Sequence, residues 1–289
     1  MVLRNGFTVL RFYGGYAIAC GLLFAGACTT QYDKVLKSSD YTLKYRTACA
    51  YYETGKYQKA AALYEQAAMY YRGLPQDDSL NFFLAKSYFK YGDIYSAEYY
   101  FSQFCNAFPR SPFIEEAYYL HIIALYEQTH RYELDQAPSY KTLSAIDEFL
   151  YAYPKSEYVA QCNEMKEVLR QRIDEKQYEA AKLYYLTEDY KAATAALRTS
   201  MRDYPDSRFR EEILYLMVAA AYKYAEQSYQ HLQKDRYQAV IDEYYNFVSE
   251  FPESKHRKEV ERMFENASRQ VRKGQTKDAS TETTTTNNQ

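Results

Sequence analysis

The residue best placed for covalent chemistry is Cys28, which follows Leu22-Leu23-Phe24-Ala25-Gly26-Ala27. Arg4 and Arg11 precede an uncharged stretch that begins at Phe12 and ends in these small residues. A basic start, an apolar middle and small residues at the cut form a secretory signal over residues 1–27. A thiol directly behind the cut suits lipoprotein processing, in which Cys28 becomes the N-terminus and is acylated. Several acyl chains on one residue anchor stably, at about 0.8 kcal/mol per buried CH₂, where a single chain is marginal. Ala25 stands where a lipobox has Leu, and Ala25-x-Ala27 also suits ordinary signal cleavage. Cys20, after Ala19, leaves a shorter apolar core. An uncleaved anchor helix is the other alternative, but the stretch is rich in Gly and Ala and short of the ~20 strongly apolar residues a span needs.

Catalytic chemistry is not signalled elsewhere. His121, His130, His231 and His256 form no H-E-x-x-H, and the chain has no G-x-S-x-G, no Walker loop and no G-x-G-x-x-G. Glu115-Glu116 and Glu211-Glu212 are paired acids, but they open helices, where the helix dipole accounts for them. Cys49, Cys105 and Cys162 are far apart and make no C-x-x-C, so they suggest small buried helix residues, with one bridge open as an alternative. A net charge of −2 argues against a nucleic-acid binder. The expectation is no enzyme, no metal and no cofactor beyond a covalent lipid on Cys28.

The elements that organise the rest are announced by four strings: Phe108-Pro109-Arg110-Ser111, Tyr153-Pro154-Lys155-Ser156, Tyr204-Pro205-Asp206-Ser207 and Phe251-Pro252-Glu253-Ser254. An aromatic–Pro–charged–Ser word recurring at this spacing marks stacked helical pairs of the tetratricopeptide (TPR) kind. Counting back from Pro109, Pro205 and Pro252 finds a Gly or polar turn, an aromatic or Ile seat and a small residue: Gly92, Ile94 and Ala97; Glu188, Tyr190 and Ala193; Asp235, Tyr237 and Val240. An N-terminal copy carries Gly55, Tyr57, Ala60, Tyr64 and Ala67, with its proline displaced to Pro75. Pro ends each second helix because it lacks an N–H and clashes with the preceding turn. With no useful period-2 strands, the fold class is all-α: an α-solenoid of about five TPR-like helical hairpins. The 36 Tyr and absent Trp put tyrosine at helix seams, where each buried ring needs a partner for its hydroxyl.

The expected organisation is a signal peptide (1–27), a lipidated tether (28–40), N-terminal repeats (41–158), C-terminal repeats (159–272) and a disordered Thr/Asn-rich tail (273–289). In such arrays the first helix of each pair lines the concave face. The register then points Tyr45, Cys49 and Tyr52, with Phe82, Lys86, Phe89 and Lys90, toward a groove for an extended aromatic-rich segment and its terminal carboxylate. Packing on a neighbouring helix is the competing account. Arg170, Arg172, Arg198, Arg202, Arg208 and Arg210 cluster around the fourth repeat, either as a solvated face or as a docking surface for an acidic partner domain.

Leu134-Asp135-Gln136-Ala137-Pro138, through Tyr153-Pro154-Lys155-Ser156-Glu157-Tyr158, resembles the signature of the BamD family of outer-membrane β-barrel assembly lipoproteins. Leu169-Arg170-Gln171-Arg172-Ile173, Ala181-Lys182-Leu183-Tyr184-Tyr185 and Met201-Arg202-Asp203-Tyr204-Pro205-Asp206-Ser207 continue the likeness over most of the mature chain. The resemblance implies an outer-membrane, periplasm-facing scaffold. Its N-terminal repeats would receive unfolded barrel precursors, and its C-terminal repeats would dock onto a BamA-type barrel subunit. The helix around Arg198 has no one-to-one match to the family's basic docking residue, the loop from Glu127 to Ser139 is shorter than in some relatives, and the tail has no counterpart. The alternatives are another periplasmic TPR lipoprotein serving envelope division or peptidoglycan work, or a glycan-binding TPR lipoprotein, although such proteins carry large insertions.

Overall fold

A computed structural model describes residues 31–286, with side chains through Lys273. Cys28 and the signal lie outside the described residues. Among those described there are helices and no strand: α1 (Gln31–Lys37), α2 (Tyr41–Glu53), α3 (Tyr57–Tyr71), α4 (Asp77–Tyr91), α5 (Ile94–Ala107), α6 (Ile114–Tyr126), α7 (Ala137–Ala152), α8 (Val159–Leu186), α9 (Tyr190–Asp203), α10 (Arg210–Glu226), α11 (Gln230–Glu250) and α12 (Arg257–Thr286). They pair as five TPR-like hairpins, α2–α3 through α10–α11, with α12 packed beyond the last. The chain forms two compact units that divide between Ile114 and Glu115, one hairpin ahead of the 158/159 boundary drawn from the sequence.

Local chemistry starts and stops these helices. Asp40, Asp93 and Asp189 cap α2, α5 and α9, each accepting the N–H three residues on with a side-chain oxygen. Gly55 (φ 73°) and Gly92 (φ 92°) make the left-handed turns between paired helices. Glu188 does the same at φ 65°, where a side chain is disfavoured. Asp235 makes no turn, because it lies inside α11; that connection comes earlier, at residues 227–229. Each of the four words ends its helix at the residue before the aromatic.

The first unit packs around Leu63, Tyr64, Leu80 and Leu84, with Val35 of α1 buried among them, so that α1 is seated in the core and is not a loose tether. The second has one core around Ile122, Ile146, Phe149 and Leu169, and another around Leu197, Ile213, Val240 and Phe247. Ala60, Ala97, Ala193 and Val240 are the small residues marked from the words, and all are fully buried. Cys49, Cys105 and Cys162 are free thiols; burial pushes Cys105 up to about 12 and Cys162 to about 11, which suppresses the reactive thiolate. α12 runs on to Thr286, through the segment expected to be disordered. No proline follows Pro252 to stop it, and Lys, Gln, Ala and Glu sustain a helix.

Candidate functional site

The words do more than stop helices. In each, the aromatic N–H donates to the carbonyl four residues back, and the Ser N–H closes the turn onto the aromatic's carbonyl. The Ser hydroxyl then accepts the N–H two residues on, from Phe113, Tyr158, Phe209 and His256. Three of these hydroxyls also donate back to the first helix of their own hairpin: Ser111 to Asp78 at 2.8 Å, Ser207 to Asp174 at 2.8 Å and Ser254 to Glu211 at 2.7 Å. The ring two residues after each Ser lies flat on an aromatic of that same helix. Phe113 stacks on Phe82 at 4.7 Å, Tyr158 on Tyr119 at 4.0 Å, Phe209 on Tyr178 at 4.3 Å and His256 on Tyr215 at 3.9 Å. A carboxylate and a ring one helical turn apart therefore receive a hydroxyl and a ring two residues apart. This latch fixes where each following helix begins. The words were legible in the sequence; their acid–x-x-x–aromatic counterparts were not singled out, because their distance from the words varies with helix length.

Tyrosine hydroxyls find partners in the same way. Tyr88 and Tyr100 stack at 5.2 Å, and both hydroxyls donate to Glu65 of α3. Burial, then the Glu65 charge, pushes Tyr88 up to about 12. Gln136, from the Asp-Gln string, is buried; its amide N–H donates to the Arg131 and Leu134 carbonyls, and its oxygen accepts from Ser139, so it folds the loop that leads into α7.

The residues expected to line a groove separate. Phe82 is 1 % exposed, walled in by Phe101, Phe104 and Phe113. It belongs to the core and is corrected as such. The register error arises because α4 meets both α5 and the following word, so its buried face extends further round the helix. Tyr45 packs on Tyr64 and Tyr71, Cys49 accepts from the Tyr64 hydroxyl, and Tyr52 sits edge-on to Tyr57 and Phe83, all half-buried at the α2 seams. Lys86 stands over the Phe82 ring at 5.1 Å, Phe89 is half-buried against Phe101, and Lys90 is exposed in the last turn of α4. The aromatics that do face solvent in this unit are others. Tyr41 and Tyr70 are stacked at 5.1 Å, and Tyr91 at the end of α4 and Tyr95 and Tyr99 on α5 are exposed, Tyr95 being 74 % exposed. Tyr95 and Tyr99 are i, i+4 neighbours, a spacing visible in the sequence.

Five of the six arginines have partners within the second unit. Arg172 donates to Thr129 at 2.9 Å and lies over Tyr126; Arg198 pairs with Glu243 at 2.9 Å; Arg202 with Asp203 at 2.9 Å; Arg208 with Glu175 at 2.6 Å. Arg210 grips Glu250 with two N–H groups, at 2.6 and 2.8 Å. Arg170 is exposed on α8. Four of the six are thus neutralised locally by carboxylates, and the cluster is not an open field of positive charge.

No curated protein matches this chain. Among solved structures it is similar to a thermophilic TPR protein of Thermus thermophilus, with 17% identity over 78% of this chain and 98% of that one and a TM-score of 0.32. It is also similar to the TPR2AB domain of yeast Sti1 in its pHSP90 complex, with 13% identity over 79% and 98% of the two chains and a TM-score of 0.38. A family model described as "Outer membrane lipoprotein" matches residues 38–228 and 171–283. On that match, spanning nearly all of the latched hairpins, the chain belongs to the YfiO (BamD) family of outer membrane lipoproteins.

Proposed function

We propose that this protein is a lipid-anchored scaffold on the periplasmic face of the outer membrane, serving assembly of β-barrel proteins. Its first unit receives aromatic-rich segments of unfolded barrel precursors, and its C-terminal hairpins dock onto a BamA-type barrel subunit. The observation that carries this reading is the exposure of Tyr91, Tyr95 and Tyr99 on a hairpin whose own core is already filled by Phe82, Phe101 and Phe104. Rings that packing does not require offer flat amphipathic contact area at low entropic cost, and Lys90 beside them suits a terminal carboxylate. Tyr45, Tyr52, Lys86 and Phe89 are half-buried and are not part of that surface. Docking falls to exposed Arg170 and to Arg202, whose pair with the neighbouring Asp203 is itself exposed, since the other arginines are tied to neighbouring elements of the fold.

The test is photocrosslinking to a barrel precursor. Tyr95→Ala with Tyr99→Ala should lower the yield several-fold while moving the melting temperature by only a degree or two, as exposed changes do. Phe82→Ala is the control that should instead destabilise, by about 3–5 kcal/mol. An unchanged yield in the double variant would remove precursor binding from this face.

A further inference from the structure

At two of the words a cavity lies between the word and the helix it reaches back to, and the two cavities are not alike. In the first unit one of about 460 Å³ lies against Asp78, Phe108, Pro109 and Ser111. In the second, one of about 230 Å³ lies against Glu167, Arg170, Asp174, Tyr204, Asp206 and Arg208. Both contain the carboxylate that accepts from the word's serine. Asp78 sits in the first turn of α4, where backbone N–H groups are uncommitted, and its second oxygen accepts the N–H of Ser79 at 2.6 Å. Asp174 occupies the same place in the latch but lies in the middle of α8, where every backbone N–H is spent inside the helix. Its Oδ2 takes the Ser207 hydroxyl; its Oδ1 is buried and meets no donor among the described residues. The residue is 6 % exposed.

A buried carboxylate oxygen without a donor is costly, so a donor from outside the chain is favoured there. The lining says which kind. Glu167, Asp174 and Asp206 set three carboxyl groups against Arg170 and Arg208, and Arg208 is already held by Glu175. The balance is negative, and the Tyr204 ring forms part of the wall. We propose that this cavity is a docking site for an arginine side chain presented by a partner protein, its planar guanidinium donating to Asp174 and to the rim carboxylates Glu167 and Asp206. The fork of N–H donors suits a divided set of carboxylates better than a lysine ammonium does, and the cavity has room for one such head. The carboxylate torsion is soft, so a small turn of Asp174 brings Oδ1 to an entering donor while Oδ2 keeps the serine. This site is independent of the precursor surface, which lies on the other unit, and its failure would leave that reading untouched.

The experiment is saturation-transfer NMR on the full chain from residue 28, with N-acetyl-arginine amide as probe and the neutral isostere N-acetyl-citrulline amide as comparison. Arginine should bind about tenfold more tightly than citrulline. Asp174→Asn keeps an acceptor for Ser207 but turns an amide N–H₂ toward the cavity, and should abolish the preference. Asp78→Asn, whose cavity has its oxygen satisfied, should not change it. Should Asp174→Asn fail to fold, Asp206→Asn on the exposed rim should still weaken arginine binding about threefold. Equal binding of the two probes, or an arginine preference that survives the Asp174 change (or the Asp206 change, where that is the variant used), would overturn the proposal.

Discussion

At the residue scale, the serines of the four words carry different loads although they read alike. Ser207 supplies the one donor that Asp174 meets among the described residues, and the carboxylate is largely buried. Burial already pushes the Asp174 carboxyl above its ordinary range, against the Ser207 hydrogen bond and the Arg208 charge that pull it down. Ser207→Ala takes away that donor and should cost about 1–3 kcal/mol. For a protein of this size that lowers the melting temperature by roughly 2–4 °C per kcal/mol. Ser156 makes the same turn but meets no carboxylate among the described residues, so Ser156→Ala should cost under about 1 kcal/mol. Thermal unfolding of the two variants side by side decides it; equal shifts would mean that the latch contributes nothing beyond the turn. The words themselves were legible because proline and an aromatic leave a mark at fixed spacing. The load on each serine was not, because it depends on whether the accepting acid lies in a first turn or mid-helix, which in turn depends on where the previous helix starts.

At the element scale, ion pairs tie neighbouring helices at their ends. Arg210, at the start of α10, holds Glu250, at the end of α11, and also donates to the Pro205 carbonyl at 2.7 Å. The hydrogen bonds from Arg210 hold the Glu250 carboxyl below the ordinary glutamate value of 4.5, against a smaller opposing effect of burial. A folded pKa below the unfolded one means that the pair's stabilisation is present above the ordinary value and is lost as pH falls through the depressed folded value. Asp174 works in the opposite sense: its raised pKa relieves a cost as the medium becomes acidic. Glu250→Gln should therefore be less stable than the parent near pH 7 and converge on it toward pH ~3, measured by urea unfolding across that range. A constant difference at all pH values would show that shape, and not charge, accounts for the contact. Helix existence and the Ala60, Ala97 and Ala193 seams followed from periodicity. The placement of Phe82 did not, since one residue of register decides between groove and core. The arginine cluster likewise looked basic in sequence because Glu175, Glu243 and Glu250 lie up to 45 residues from the arginines they neutralise.

At the scale of the whole molecule, the question is what holds such a body at a membrane. No helix among the described residues is long and apolar enough to cross one. The chain's net charge is −2, and four of its six clustered arginines pair with carboxylates of the chain, so attraction to an anionic lipid surface is weak. Family membership calls for an outer membrane lipoprotein, and we propose the acylated terminus at Cys28 as its lipid attachment. Two consequences separate lipid from charge. Washing membranes with about 1 M salt, which shortens the screening length to about 3 Å, should release none of the parent protein. Cys28→Ala should abolish labelling by radioactive palmitate and move the protein from the membrane pellet to the soluble fraction, with its helical circular dichroism unchanged, because no residue of the hairpin cores is touched. Retention of the Cys28→Ala protein in the pellet would place the anchor elsewhere, in the uncleaved leader or in a bound partner. Salt extraction of that retained variant would then separate those two, since only the partner contact is open to screening.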